Sequence, residues 1–174
     1  MGRKIILLAL LGTVAGVAPA AAQGQKFSDP ADYCRVAGTI DGPDGRYDGT
    51  GVPDWMLRTY FTPQEIATAR SQGRPQPAYG ISWRCAKGDV LVCQNAQTPS
   101  CVKPNTDRTP TAAMRNFCED GQRSSPVIPR VVTGTERMLA YDWVCQGKVP
   151  AIAKATPLDA QGFVAADWKQ VKAN

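Results

Sequence analysis

Few side chains in this chain are of a type and spacing that could do chemistry. They are six cysteines (Cys34, Cys85, Cys93, Cys101, Cys118 and Cys145), three aspartates in one glycine-rich loop (Asp41, Asp44 and Asp48), and a Ser-x-x-Lys step from Ser100 to Lys103. None of the 174 residues is histidine. That excludes serine–histidine and cysteine–histidine dyads, histidine zinc sites and any imidazole acid or base. No two cysteines stand in Cys-x-x-Cys spacing. The thiols therefore read as disulfide partners rather than metal ligands, with the pairing left open by the spacing.

The aspartates fall within Asp41-Gly42-Pro43-Asp44-Gly45-Arg46-Tyr47-Asp48-Gly49. Three carboxylates on a flexible turn could chelate Ca²⁺ together with backbone carbonyls, but the spacing is not that of an EF-hand and no terminal glutamate follows. Aspartate is also a routine turn residue that bonds its own backbone, so the loop is a weak calcium candidate and no cofactor is expected. Ser-x-x-Lys is the nucleophile and base spacing of penicillin-recognising enzymes, where it works on a helix. Here Pro99, Cys101 and Pro104 place it in a loop with no Ser-Asp-Asn or Lys-Thr-Gly companion, and it reads as coincidence. A carboxylate pair for glycoside cleavage needs no histidine and stays open in principle. No Gly-x-x-x-x-Gly-Lys-Ser/Thr loop is present to cradle a phosphate.

The elements that must position these groups are short. Residues 23–29 read as a frayed start. Residues 32–40 carry Tyr33, Cys34, Val36 and Ile40 into the aspartate loop. Pro53 to Phe61 predicts a short helix begun by proline. Thr62-Pro63-Gln64-Glu65 predicts a capping box opening a surface helix over 63–72, with Ile66, Ala67 and Ala69 to bury. Residues 79–93 read as a hairpin turning at Lys87-Gly88-Asp89. A helix opening at Thr109-Pro110 carries Ala113, Met114, Phe117 and Cys118 on one stripe and ends at Gly121. That stripe points Cys118 at a sheet. Residues 127–133 and 138–145 read as two strands joined through a turn, with Pro129 restricting the first to an edge. Gln146-Gly147 turns the chain into Val149–Ile152. The tail turns at residues 159–162, and Phe163, Val164, Trp168 and Val171 fit a helix and a bent strand equally. The steps Trp83-Arg84-Cys85 and Trp143-Val144-Cys145 echo each other, each placing Trp and Cys on one face of a strand. The expected class is α+β: a small antiparallel, hairpin-rich sheet with two or three short helices, stapled by about three disulfides.

Residues 1–22 have a basic start at Arg3 and Lys4, an apolar run broken by Gly12 and Gly16, and Ala20-x-Ala22 before Gln23. That is the pattern of a cleaved secretory signal, too short and interrupted for a spanning helix. The expectation is a single disulfide-bonded domain over 23–174, periplasmic or secreted, with no transmembrane segment after cleavage. Twenty Lys and Arg against fifteen Asp and Glu give +5, falling to +3 once Arg3 and Lys4 leave. The cations are interleaved with acids, which is no nucleic-acid footprint. Arg108, Arg115, Arg123, Arg130 and Arg137 recur at near-heptad spacing but cross a helix, a loop and a strand, and the series reads as chance.

Tyr33-Cys34, Gly38-Thr39-Ile40-Asp41, Trp83-Arg84-Cys85, Cys93, Cys101, Phe117-Cys118, Ile128-Pro129, Val132-Thr133-Gly134 and Trp143-Val144-Cys145 together resemble an uncharacterised family of small exported, cysteine-containing proteobacterial proteins. The resemblance implies export and carries no activity, ligand or catalytic residue.

Three functional classes follow. The first and favoured is an exported, non-catalytic module binding a protein or envelope glycan, with Arg46, Tyr47, Trp83 and Arg84 as contact groups. An inhibitor of a lysozyme or protease is one version of it. The second is a histidine-free carboxylate glycoside hydrolase acting on cell wall, and the third a Ca²⁺-dependent structural protein.

Overall fold

The computed structural model describes residues 24–73, 80–95, 101–120, 125–134 and 138–173. The signal segment, Tyr79, Ser100, Gly121, Arg123 and Arg137 lie outside the described residues.

The segment read as a frayed start is ordered by its own chemistry. Asp29 caps a helix α1, Pro30–Ala37, its carboxylate accepting from the backbone N–H groups of Ala31 and Asp32. Phe27 exchanges backbone bonds with the aspartate loop, its N–H donating to Arg46 and its carbonyl accepting from Asp48. Gly38, at φ +72°, ends α1 where a side chain would be strained. Helix α2 is only Asp54–Leu57, with Pro53 as its cap rather than its first residue. Helix α3, Pro63–Ser71, opens on the expected capping box of Thr62 and Glu65. It buries Ile66 and Ala69 but leaves Ala67 in solvent.

Strands β1 (Ile81–Ala86) and β2 (Asp89–Gln94) form the expected antiparallel hairpin. Its two-residue turn holds Lys87 at φ +55° and Gly88 at φ +87°, the hand that matches strand twist. A short C-terminal strand β5, Lys169–Val171, pairs antiparallel to β2 and completes a sheet of order β1-β2-β5. Side-chain alternation gives that sheet two covered faces. Trp83, Cys85, Val90 and Val92 face α1 and pack with Phe27, Tyr33 and Met56. From the opposite face, Leu91 and Cys93 pack with Cys101, Phe163 and Trp168.

The second half repeats the plan. Helix α4, Ala112–Glu119, is capped by Thr111 rather than by the earlier Thr109. Strands β3 (Tyr141–Gln146) and β4 (Val149–Ala155) form a second antiparallel hairpin, a separate two-stranded sheet. Met114, Cys118, Ile128, Trp143 and Cys145 make its core. Residues 127–133 are not a strand. Val127 makes one bridge to Val144, and Arg130–Thr133 then coil into a 3₁₀ turn closed by Gly134. Pro129 starts that turn because it has no N–H to give a ladder. The tail resolves into a 3₁₀ turn, Ala165–Asp167, followed by β5.

The fold is thus α+β with three disulfides: Cys34–Cys85, Cys93–Cys101 and Cys118–Cys145. The first ties α1 to β1 and the third ties α4 to β3, each beside the Trp of its hairpin. An aromatic–Cys helix joined to a Trp-x-Cys hairpin therefore occurs twice. In both copies the segment after the helix bonds the first hairpin strand, Ile40 to Cys85 in one and Ile128 to Trp143 in the other.

Candidate functional site

The residues read from sequence as contact groups are largely committed to the interior. Arg84 is 0% exposed, because alternation turns it away from Trp83 onto the face that the C-terminal segment covers. Its guanidinium lies over the edge-packed pair of Phe163 and Trp168, 4.4 Å from each ring centroid. It pairs with Asp159 and donates to the Gln161 side-chain carbonyl. Trp83 is buried under Tyr33 and Tyr47, at centroid separations of 5.8 and 4.9 Å. Arg84 is thus enclosed, and Trp83 keeps only 9% of its surface open. Tyr47 is half-buried, and burial, with Asp29 and Asp48 nearby, pushes its hydroxyl pKa up. Arg46 is half-buried, forked onto Asp44 through Nε and Nη2 and lying 5.5 Å over the Tyr33 ring.

The three loop aspartates diverge instead of gathering round a cation. Asp44 is taken by Arg46, whose side-chain and backbone hydrogen bonds hold its carboxyl at about 2. Asp41 pairs with Lys103 and accepts from Gln161 Nε2 at 3.1 Å. The Lys103 hydrogen bond above all, with that of Gln161, holds its pKa below the ordinary carboxylate value against an opposing effect of burial. Among the described residues no three acidic or thiol groups are placed to share a metal ion. Lys103, the would-be base of Ser-x-x-Lys, is engaged by Asp41 and sits 5.1 Å over the Phe163 ring.

The unassigned opening lies in the second half. A groove of about 580 Å³ runs beside β3 and β4, floored by Ile128, Leu139 and Trp143 and edged by Val127 and Pro129. That is within the ~300–1,000 Å³ of small-molecule sites. Its apolar floor follows from the hairpin, which turns Trp143 and Cys145 inward against α4. In the first half Tyr47 of the aspartate loop covers the equivalent Trp83, whereas Trp143 lines this groove and a smaller adjoining hollow of about 130 Å³. Trp143 is only 4% exposed, and its Nε1–H has no hydrogen-bond acceptor among the described residues. A donor enclosed in this way forgoes about 1–3 kcal/mol until an acceptor reaches it.

Charge around the groove is predominantly positive. Arg130 and Lys154 line it, and neither forms an ion pair among the described residues. Arg108 reaches Tyr141, another lining residue, donating from Nε to its hydroxyl at 3.2 Å with the guanidinium 5.2 Å over the ring. Asp142 is the one carboxylate among the described residues of the lining. It stands opposite Lys154 in the strand register without an ion pair. Two members of the near-heptad arginine series thus belong to one opening, Arg130 in its lining and Arg108 through Tyr141. Val131 projects beside it, 88% exposed.

No protein-family model matches the chain, and no curated protein or solved structure matches it. Among the described residues no helix is long and apolar enough to cross a membrane.

Proposed function

We propose that the protein is an exported, non-catalytic binding module whose ligand enters the groove beside β3 and β4. One observation carries this reading: an apolar groove of ligand size is lined by Trp143, whose buried N–H lacks an acceptor. Export draws support from the signal pattern and from three disulfides, which persist in oxidising compartments. Against a carboxylate hydrolase stands the single acid among the described lining residues, since acid and base, or acid and nucleophile, require two. The test is binding of a neutral apolar dye, N-phenylnaphthylamine, to the oxidised protein. Ala153 lines the groove from an exposed position, so Ala153→Trp fills the space without disturbing the core. Saturable dye binding by the native protein, abolished in that variant, is expected. Absent binding, or binding indifferent to Ala153→Trp, would overturn the reading.

A second reading, a protein contact at the same rim, draws on Val131, because a large apolar side chain left so open is a ready anchor. It predicts that Val131→Asp abolishes partner binding while dye uptake persists.

A further inference from the structure

We infer that the groove selects small anionic amphiphiles, an apolar body carrying a carboxylate, and that Trp143 Nε1–H is the donor that receives the anionic oxygen. The inference rests on the binding reading above and adds the chemical class of ligand.

Three independent features converge on that class. The floor, from Ile128 and Leu139 to Trp143, is apolar and asks for a hydrocarbon body. Of the two buried polar residues in the lining, Thr133 donates to the Arg130 carbonyl, whereas the Trp143 N–H has no acceptor among the described residues, so the complementary ligand group is an acceptor. The surrounding charge decides which acceptor. Among the described residues Arg108, Arg130 and Lys154 outnumber Asp142, and Arg130 and Lys154, which line the groove, form no ion pair there. A neutral carbonyl would satisfy the indole but not the field, whereas a carboxylate satisfies both. The first half of the molecule supplies a contrast. There Tyr47 covers Trp83, and the nearby Arg46 is matched by Asp44. The second half keeps the hairpin and its Trp but has an open groove and unmatched cations.

The experiment displaces N-phenylnaphthylamine from the oxidised mature chain with dodecanoate and, separately, with dodecanol, both below their aggregation thresholds. Dodecanoate is expected to bind at least tenfold more tightly than dodecanol, with a preference that shrinks as salt rises. Trp143→Phe keeps an aromatic side chain, smaller than the indole, and removes the donor. It is expected to cost dodecanoate about tenfold and dodecanol much less, which is the size of one charge-assisted hydrogen bond. Because the smaller ring leaves space in the core, the same variant should melt somewhat lower than the native chain, and retained dodecanol binding shows that it is folded. Arg130→Gln and Lys154→Gln should each reduce the carboxylate preference and leave dodecanol unchanged.

Equal affinity for the two amphiphiles, both blocked by Ala153→Trp, would overturn the anionic assignment and leave the binding groove standing. A carboxylate preference untouched by Trp143→Phe would overturn the role given to the indole. Failure of the dye and both amphiphiles to bind would remove the groove reading and this inference together.

Discussion

The interior ion pair of Arg84 and Asp159 makes an asymmetric prediction about stability. Arg84 is fully buried, while the Asp159 side chain keeps 25% of its surface in solvent. In the native protein the cation is compensated by Asp159, the Gln161 carbonyl and the two rings, and its Nε is left unpartnered. Arg84→Met preserves the apolar stem and much of the volume. It forfeits two cation–ring contacts at ~0.5–2 kcal/mol each, while the freed carboxylate rehydrates through its exposed edge. A loss of about 1–3 kcal/mol follows. Asp159→Asn keeps an oxygen for the Gln161 and Phe163 N–H groups that Asp159 Oδ1 now accepts, so the turn survives. What it leaves is a sealed guanidinium without its counter-charge, a situation that costs about 3–5 kcal/mol. The carboxylate change should therefore be the more damaging of the two. The double variant, with no cation to strand, should return to about the level of Arg84→Met. Urea unfolding at constant slope reads all three. If Arg84→Met cost as much as or more than Asp159→Asn, or the double variant were worse than either single one, the assignment of the desolvation penalty to the cation would be wrong.

The three disulfides should rank by the loops they close. Separations of 51, 27 and 8 residues for Cys34–Cys85, Cys118–Cys145 and Cys93–Cys101 imply losses of about 4, 3.5 and 2.5 kcal/mol when each pair becomes Ala, measured by the same urea unfolding. Acid titration has a defined sign at Asp44, whose folded value of about 2 lies below its unfolded one. The stability it adds is fully present above its unfolded pKa and is lost as pH falls through the folded value. Asp44→Asn should flatten the melting temperature curve across that window, and Ca²⁺ should leave the melting temperature of either protein unchanged. Lys87 holds a left-handed backbone that asparagine accepts more readily. Lys87→Asn should raise unfolding free energy by about 0.5–1 kcal/mol.

Local signals in the sequence were read well where one interaction decides the structure. Thr62 and Glu65 make their capping box, Lys87-Gly88 turns the first hairpin, Gly147-Lys148 turns the second one residue later than expected because Gln146 still pairs with Val149, and the Met114–Cys118 stripe aims Cys118 at Cys145. Helix α1 escaped notice because its cap, Asp29, stands in a stretch without apolar periodicity, although Asp29-Pro30 is itself a start signal. Residues 127–133 depart from the strand pattern that Val131 and Val132 suggest because the missing proline donor decides the outcome. The candidate site was the least legible part. Strand alternation could have set Arg84 apart from Trp83 and Cys85, but what covers its face comes from residues 157–171, far along the chain. The meeting of Arg108, Arg130 and Trp143 depends on pairing between segments that no local pattern specifies. Asn105 bonds Met138 and Ala140, and Ile128 bonds Trp143.

The central claim, that the groove takes its ligand through Trp143, is tested most directly at the indole proton itself. The four tryptophans give four side-chain N–H signals in a nitrogen–proton correlation spectrum, and Trp143→Phe identifies the one that matters. Titration with dodecanoate should move that signal downfield as the N–H gains a charged acceptor, with the signals of Trp55, Trp83 and Trp168 nearly fixed. A Trp143 signal that stays in place while dodecanoate binds, or while another indole responds, would contradict the account.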